Sequence, residues 1–283
     1  MTKRIVAIPI IATMFFTTLT SRASTETEPE VAAPAPAPPK DDAIGLNLDL
    51  GFASAYVFRG YNVFQKDSQL DQHTLLAPGV TWTVFHTGLS IGYWGAYQIS
   101  GGDIDDRIDA ALGAEQDIIL GYTLGLPHDL SLAFSLVGYL YPFADKSDVG
   151  AKCPVFLEPG AGLAWAGPID LSLKVSYFLG LQDEPAIRGI SYLYVNPRVG
   201  KTFALHKRVK LSAGLGYGFK LWQEGNDGAS NIHDVSLDVS LPIDIIGGLY
   251  IAPSVHTGWT NLVDKEFADE LFAYGALNVG VNL

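Results

Sequence analysis

Five charged residues have the types and spacing to act on a passing solute: Glu115, Asp117, Glu158, Lys174 and Arg198. Each falls on the polar phase of a stretch in which apolar and polar residues alternate, so all five share one side of the sheet that carries them. Three acids on one flank and two bases on the other would set a transverse field across a narrow aqueous passage, an arrangement that tunes ion preference in a pore. The same residues could instead pair off into salt bridges that fill and stiffen an interior. The whole set expected on that side, Asp49, Glu115, Asp117, Glu158, Asp170 and Asp238 against Arg59, Lys174, Arg198, Lys210 and Lys220, nearly balances, so strong selectivity by net charge is not expected.

A second combination is nucleophilic. Ser254 and His256 share a face, and the expected hairpin sets Asp234 opposite His256. A hydrolase of membrane lipids would need such groups at the lipid boundary. These instead lie on the side of the charges, so a structural His–Asp pair is the expectation and no enzyme activity is read from it. Asp103, Asp105 and Asp106 lack the remaining spacing of an ordered calcium loop, and the G-x-G-x-G run at 214–218 has no helix after it to hold a nucleotide. Cys153, the only cysteine, reads as a small buried residue and leaves no partner for an internal disulfide. Neither a cofactor nor a metal is expected.

The elements that position these residues follow from one period. In Ile44 to Gly60, Leu46, Leu48, Leu50 and Phe52 fall on one face and Asn47, Asp49, Gly51 and Ala53 on the other, and the alternation runs on to Arg59. A strand this long, with an acid on its polar face, suits lipid outside and water inside. About twelve such strands are expected, at 44–59, 70–86, 88–99, 109–124, 129–143, 153–165, 169–181, 190–205, 208–222, 232–242, 247–260 and 271–283, an even number as outer-membrane barrels require. Long acid-rich connections alternate with short ones at His86 to Gly88, Leu126 to His128, Gly167-Pro168, His206-Lys207 and a longer Pro242 to Gly248, which places the short turns in the periplasm. Hairpins echo one another at about 40-residue spacing, as a repeated unit would.

Parity sorts the aromatics into two rims. Trp82, Tyr122, Trp165 and Phe203 point outward near the short turns, and Tyr56, Phe58, Tyr93, Tyr97, Tyr177, Tyr217, Phe219 and Trp259 point outward near the long loops. Short-turn register also sets Gly79 opposite Trp94 and Gly216 opposite Arg198. Pro78, Pro159, Pro197 and Pro253 fall mid-strand on the outward face, where bulges are the expected accommodation. The final Leu283 stands where such barrels usually end in an aromatic.

The segment Ser54, Tyr56, Val57, Phe58, Arg59, Gly60, an S-x-Y-V-F-R-G pattern opening a chain of alternating strands, resembles the Gcw_chp family of bacterial outer-membrane barrels. The resemblance implies a barrel and carries no function with it. Tyr56, Phe58, Arg59 and Gly60 are its motif residues.

Residues 1–23 read as a signal peptide, with Lys3 and Arg4, an apolar run from Ile5 to Phe16 too short to span a bilayer as a helix, and a Ser21-Arg22-Ala23 cleavage pattern. Residues 24–43, rich in Pro, Ala and acid, read as a disordered periplasmic linker, and 44–283 as the barrel. The charge is −12, and −15 once Lys3, Arg4 and Arg22 are removed with the leader, which argues against nucleic acid as a partner. The expectation is an all-β, up-and-down transmembrane barrel in the bacterial outer membrane, contacting lipid and lipopolysaccharide. Its leading role is a narrow passive channel for small polar solutes, with a plugged structural or surface-interaction barrel as the alternative and a lipid-modifying enzyme third.

Overall fold

The computed structural model describes residues 44–63, 74–85, 87–100, 115–142, 153–182, 191–222, 232–261 and 271–283. The expected signal peptide, the linker and the acids Asp103, Asp105 and Asp106 lie outside the described residues. Among the described residues fifteen strands run in chain order: β1 (Leu46–Ala53), β2 (Val57–Phe58), β3 (Tyr61–Asn62), β4 (Leu75–Thr83), β5 (Leu89–Gln98), β6 (Glu115–Leu126), β7 (Leu130–Leu140), β8 (Val155–Ala166), β9 (Asp170–Gly180), β10 (Ser191–His206), β11 (Val209–Trp222), β12 (Ile232–Ser240), β13 (Ile243–Ile246), β14 (Leu249–Thr260) and β15 (Leu271–Asn282).

All but β2 and β3 belong to one antiparallel sheet, in which each wall strand pairs with its neighbours in sequence and β1 pairs with β15, Leu50 opposite Val279. The sheet is therefore closed, and among the described residues no strand edge is left unpaired for lipid to meet. β12 and β13 are two pieces of one wall strand, since both pair with β11 on one side and β14 on the other. The wall thus has twelve strands. Leu283 completes the seam by donating its N–H to the carbonyl of Leu46 at 2.8 Å, so closure does not depend on a terminal aromatic.

Alternation along the strands becomes inside and outside. In β6, Glu115, Asp117, Ile119 and Gly121 are buried and Ile118, Leu120, Tyr122 and Leu124 exposed. Leu50, Leu163, Leu215 and Leu237 continue the apolar exterior, with Trp82, Tyr122, Trp165 and Phe203 at the short-turn rim and Tyr217 and Trp259 at the other. An apolar belt between aromatic rims is stable only against hydrocarbon. The short turns have their own chemistry. β13 and β14 meet at Gly247-Gly248, both with positive φ (58° and 83°), the two-residue turn whose twist matches antiparallel strands.

Two expectations need correcting. The first wall strand stops at Ala53 rather than Arg59, and Tyr56 and Phe58 lie inside at 2% and 3% exposure rather than on the outer rim. At Ser54 the chain leaves the wall, its N–H bonded to the Gly275 carbonyl and its hydroxyl accepting from the Gly275 N–H. The alternation continues in the sequence past that point, but a buried lumen needs the same aromatics as a lipid face. The four mid-strand prolines also sit without bulges. Each ladder skips two pairs beside its proline and resumes in unchanged register, as from Leu76↔Tyr97 to Gly79↔Trp94 and from Val195↔Phe219 to Arg198↔Gly216. The missing N–H faces the hairpin partner, while the other neighbour stays paired, Leu50 opposite Pro78 and Leu173 opposite Pro197.

Candidate functional site

The lumen is built around β2 and β3, which form a small hairpin separate from the wall. Its two-residue turn is Arg59-Gly60, with φ of 48° and 77°, the double left-handed geometry that favours glycine second. Gly60 also has no room for a side chain, because a Cβ there would stand 2.6 Å from the Cβ of Thr260. The turn is thereby fixed in shape and pressed against β14.

Arg59 is the centre of this hairpin's contacts. Its Nη2 donates to Glu158 Oε1 at 2.6 Å and its Nη1 to the Tyr192 hydroxyl at 2.8 Å. The guanidinium carbon lies 4.1 Å from the ring centre of Tyr194 and 4.4 Å from that of Phe58, a stacking that offsets lost hydration of the cation. Glu158 is completed by the Tyr139 hydroxyl, which donates to Oε2 at 2.9 Å. On the far side Lys220 donates to the Arg59 carbonyl at 2.8 Å. Tyr56 reaches the opposite wall, its hydroxyl donating to Glu115 Oε2 at 3.1 Å and its ring 5.7 Å from that of Trp94. One short segment therefore bridges β5 and β6 to β8, β10, β11 and β14 across the interior.

Around it the outer half is packed. Phe156, Phe178 and Tyr192 stack at successive centroid distances of 5.1 Å, with Tyr139 5.3 Å from Phe178. The half toward the short turns differs. Thr81, Thr83, Ser90, Thr123, Ala133 and Gly162 line one wall there and are half-buried, while Gly125, Thr202 and Ala204 are exposed. Small inward residues leave space that aromatic ones fill.

A second polar group lies on the opposite wall. Arg198 donates to Asp238 Oδ2 through a short charged contact, Asp238 Oδ1 lies 2.8 Å from His256 Nδ1, and His256 Nε2 lies 2.9 Å from Ser254 Oγ. The imidazole is stacked on Tyr274 at 4.6 Å and 11°. The expected partner Asp234 is not there. It pairs with Thr260 in register, and Asp238 faces His256, because the hairpin turns at Gly247-Gly248 rather than at the middle of Pro242 to Gly248. Asp234 instead accepts from the Tyr194 hydroxyl at 3.2 Å.

Of the five residues expected at a constriction, Glu115, Asp117 and Glu158 are buried together in the outer half, at 2%, 0% and 0% exposure. Lys174 stands opposite Gly162, nearer the short turns, and Arg198 is engaged with Asp238. The cation on Glu158 is thus Arg59, supplied by the loop. Among the motif residues Tyr56, Phe58, Arg59 and Gly60, all four are lumenal. The sequence reading missed the tyrosines 139, 192 and 194, although each sits on the polar phase of its strand among charged neighbours. Gly79 opposite Trp94 and Gly216 opposite Arg198 are as expected.

No protein-family model matches this chain, and no curated protein does. Among solved structures it is similar to the KdgM porin (10% identity, 84% of this chain and 99% of that one, TM-score 0.44). It is also similar to the NanC porin (9%, 84% and 98%, 0.47) and to an outer-membrane channel from Pseudomonas putida F1 (9%, 87% and 99%, 0.49). At these identities and scores the likenesses add nothing to what the ladder and the exterior themselves establish: a closed, twelve-stranded barrel of the bacterial outer membrane.

Proposed function

We propose that the barrel is a narrow channel for small polar solutes, with the β2–β3 hairpin setting its outer constriction. The observation that carries this reading is that the segment crossing the lumen is not part of the wall. It is held by side-chain bonds of Arg59, Tyr56 and Lys220, so it can shift without breaking the ladder that closes the barrel. Below it one wall of the lumen is lined by small, half-buried hydroxyl-bearing and glycine residues. The Gcw_chp-like segment then has a task, since its Arg and Gly are the turn that fixes the constriction. Lipid against the apolar belt and lipopolysaccharide at the outer rim are the partners this reading adds.

Replacing Arg59 alone would leave Glu158 buried without the cation bonded to it, at a cost of about 3–5 kcal/mol. The paired change Arg59→Ala with Glu158→Gln releases the hairpin without that charge. In planar bilayers the wild-type barrel is expected to conduct in small steps and the double variant in larger ones. If neither conducts at any voltage, the interior is a plug and the barrel is structural, the second reading. That reading is favoured by the fully buried stack of Tyr139, Phe156 and Phe178.

A further inference from the structure

The geometry points to Ser254 as an activated nucleophile in the lumen, serving hydrolysis of small carboxylic esters that enter from the periplasmic side. Asp238 can only accept when ionised, so the 2.8 Å contact fixes the proton of neutral His256 on Nδ1. Nε2 is then left as an acceptor, and the Ser254 hydroxyl lies 2.9 Å from it. That is the order of donors and acceptors by which a Ser–His–Asp relay raises the reactivity of a serine.

Neither partner is free to turn away. Arg198 holds the other oxygen of Asp238, and the Tyr274 ring stacks on the imidazole. Ser254 and His256 alternate with outward residues on one strand, and Asp238 lies directly across the ladder from His256, so the wall itself spaces the three. Ser254 is 8% exposed and His256 3%, and the wall beside them carries small groups. Ser240 is the cross-strand neighbour of Ser254, Ser212 pairs with Ser240, and the exposed Thr202 follows at the short-turn rim. Entry from the short-turn side does not pass the constriction set by the β2–β3 hairpin, so this proposal stands or falls separately from conduction.

In the step proposed, Ser254 Oγ bonds to the acyl carbon, its proton passes to His256 Nε2 and then to the departing alkoxide, and an alcohol leaves. Water attacks the acyl-serine with the same imidazole taking its proton, and a carboxylic acid is released with Ser254 restored. No oxidant or metal is needed.

A fluorophosphonate probe tests this on the purified full-length barrel in detergent, with its folded state checked by heat-modifiable mobility. The serine oxygen would bond to phosphorus and displace fluoride, adding one probe mass per chain. The expected result is stoichiometric labelling that maps to Ser254. Labelling is expected to vanish in Ser254→Ala and to fall at least about a hundredfold in rate in His256→Gln, the usual contribution of a positioned base, while Ser135→Ala, on β7 across the barrel, keeps it. Wild-type labelling decides the matter even if a variant fails to fold. No label on the folded wild-type barrel, label at another serine, or an unchanged rate in folded His256→Gln overturns the proposal, and the three residues are then a structural network.

Discussion

Gly60 shows how one missing Cβ sets the interior. Its φ of 77° and the 2.6 Å approach to the Thr260 Cβ both exclude a side chain. Gly60→Ala costs about 1–2 kcal/mol from the left-handed backbone alone, before the clash is relieved. The wall ladder does not include this residue, so the hairpin gives way and the barrel does not. Trypsin provides the readout, because Arg59 is 3% exposed in the native protein and its following bond is protected. The folded Gly60→Ala barrel is expected to be cut after Arg59 while the wild type stays intact there. Equal resistance of the two would mean that the turn does not depend on Gly60. The Arg-Gly pair was visible in the sequence as a motif, but its role was not, since a turn pointing into a lumen and one ending a wall strand use the same residues.

At the level of strands, parity was legible almost throughout because lipid and water enforce it residue by residue. Leu215 is 47% exposed and Gly216 buried, as their alternate positions require. Leu215→Arg puts a charge into the apolar belt at about 2–4 kcal/mol and should block assembly. Gly216 is a poor inward counterpart, since a Cβ there would meet Arg198 at 3.0 Å and Ser236 at 2.9 Å. Gly162 faces the lumen with nothing nearer than 3.6 Å, so Gly162→Arg should fold in good yield. Heat-modifiable mobility of Leu215→Arg and Gly162→Arg compares the faces, and equal folding of both would contradict the inside–outside assignment. Where parity failed, the cause was a change of path rather than of pattern. After Ser54 the chain enters the lumen, so Tyr56 and Phe58 meet protein where the alternation promised lipid. Register failed only where a hairpin was misplaced. The turn at Gly247-Gly248, late in the Pro242 to Gly248 link, moved His256 from Asp234 to Asp238, and with it the most suggestive polar group in the molecule was misread.

For the whole barrel, the alternation of connection lengths orients it, with the short turns in the periplasm. A cysteine in place of Lys207, at the β10–β11 turn, tests this in a Cys153→Ser background. A membrane-impermeant maleimide is expected to leave Lys207→Cys unlabelled on intact cells and to label it once the outer membrane is permeabilised. Labelling of intact cells would invert the barrel. The closed sheet was legible from the even strand count and the apolar exterior, whereas the loop-supplied partner of Glu158 was not, because no local pattern joins Arg59 to a residue 99 positions away.

β1 has two duties that couple the seam of the wall to the interior. It is the strand that closes the wall against β15, Leu48 opposite Val281 and Phe52 opposite Leu277, and it is the stem from which the lumenal hairpin departs at Ser54. The anchor at that departure is Gly275, on β15, and Gly60 rests on Thr260, at the end of β14. The hairpin's seat is therefore incomplete until β14 and β15 are in place. Pairing between strands this far apart in sequence is slow to form, since a long loop must close before any contact repays it. A barrel with its β1–β15 seam unsealed lacks the Gly275 anchor of the hairpin, so sealing the seam also completes the seat of the segment that occupies the interior.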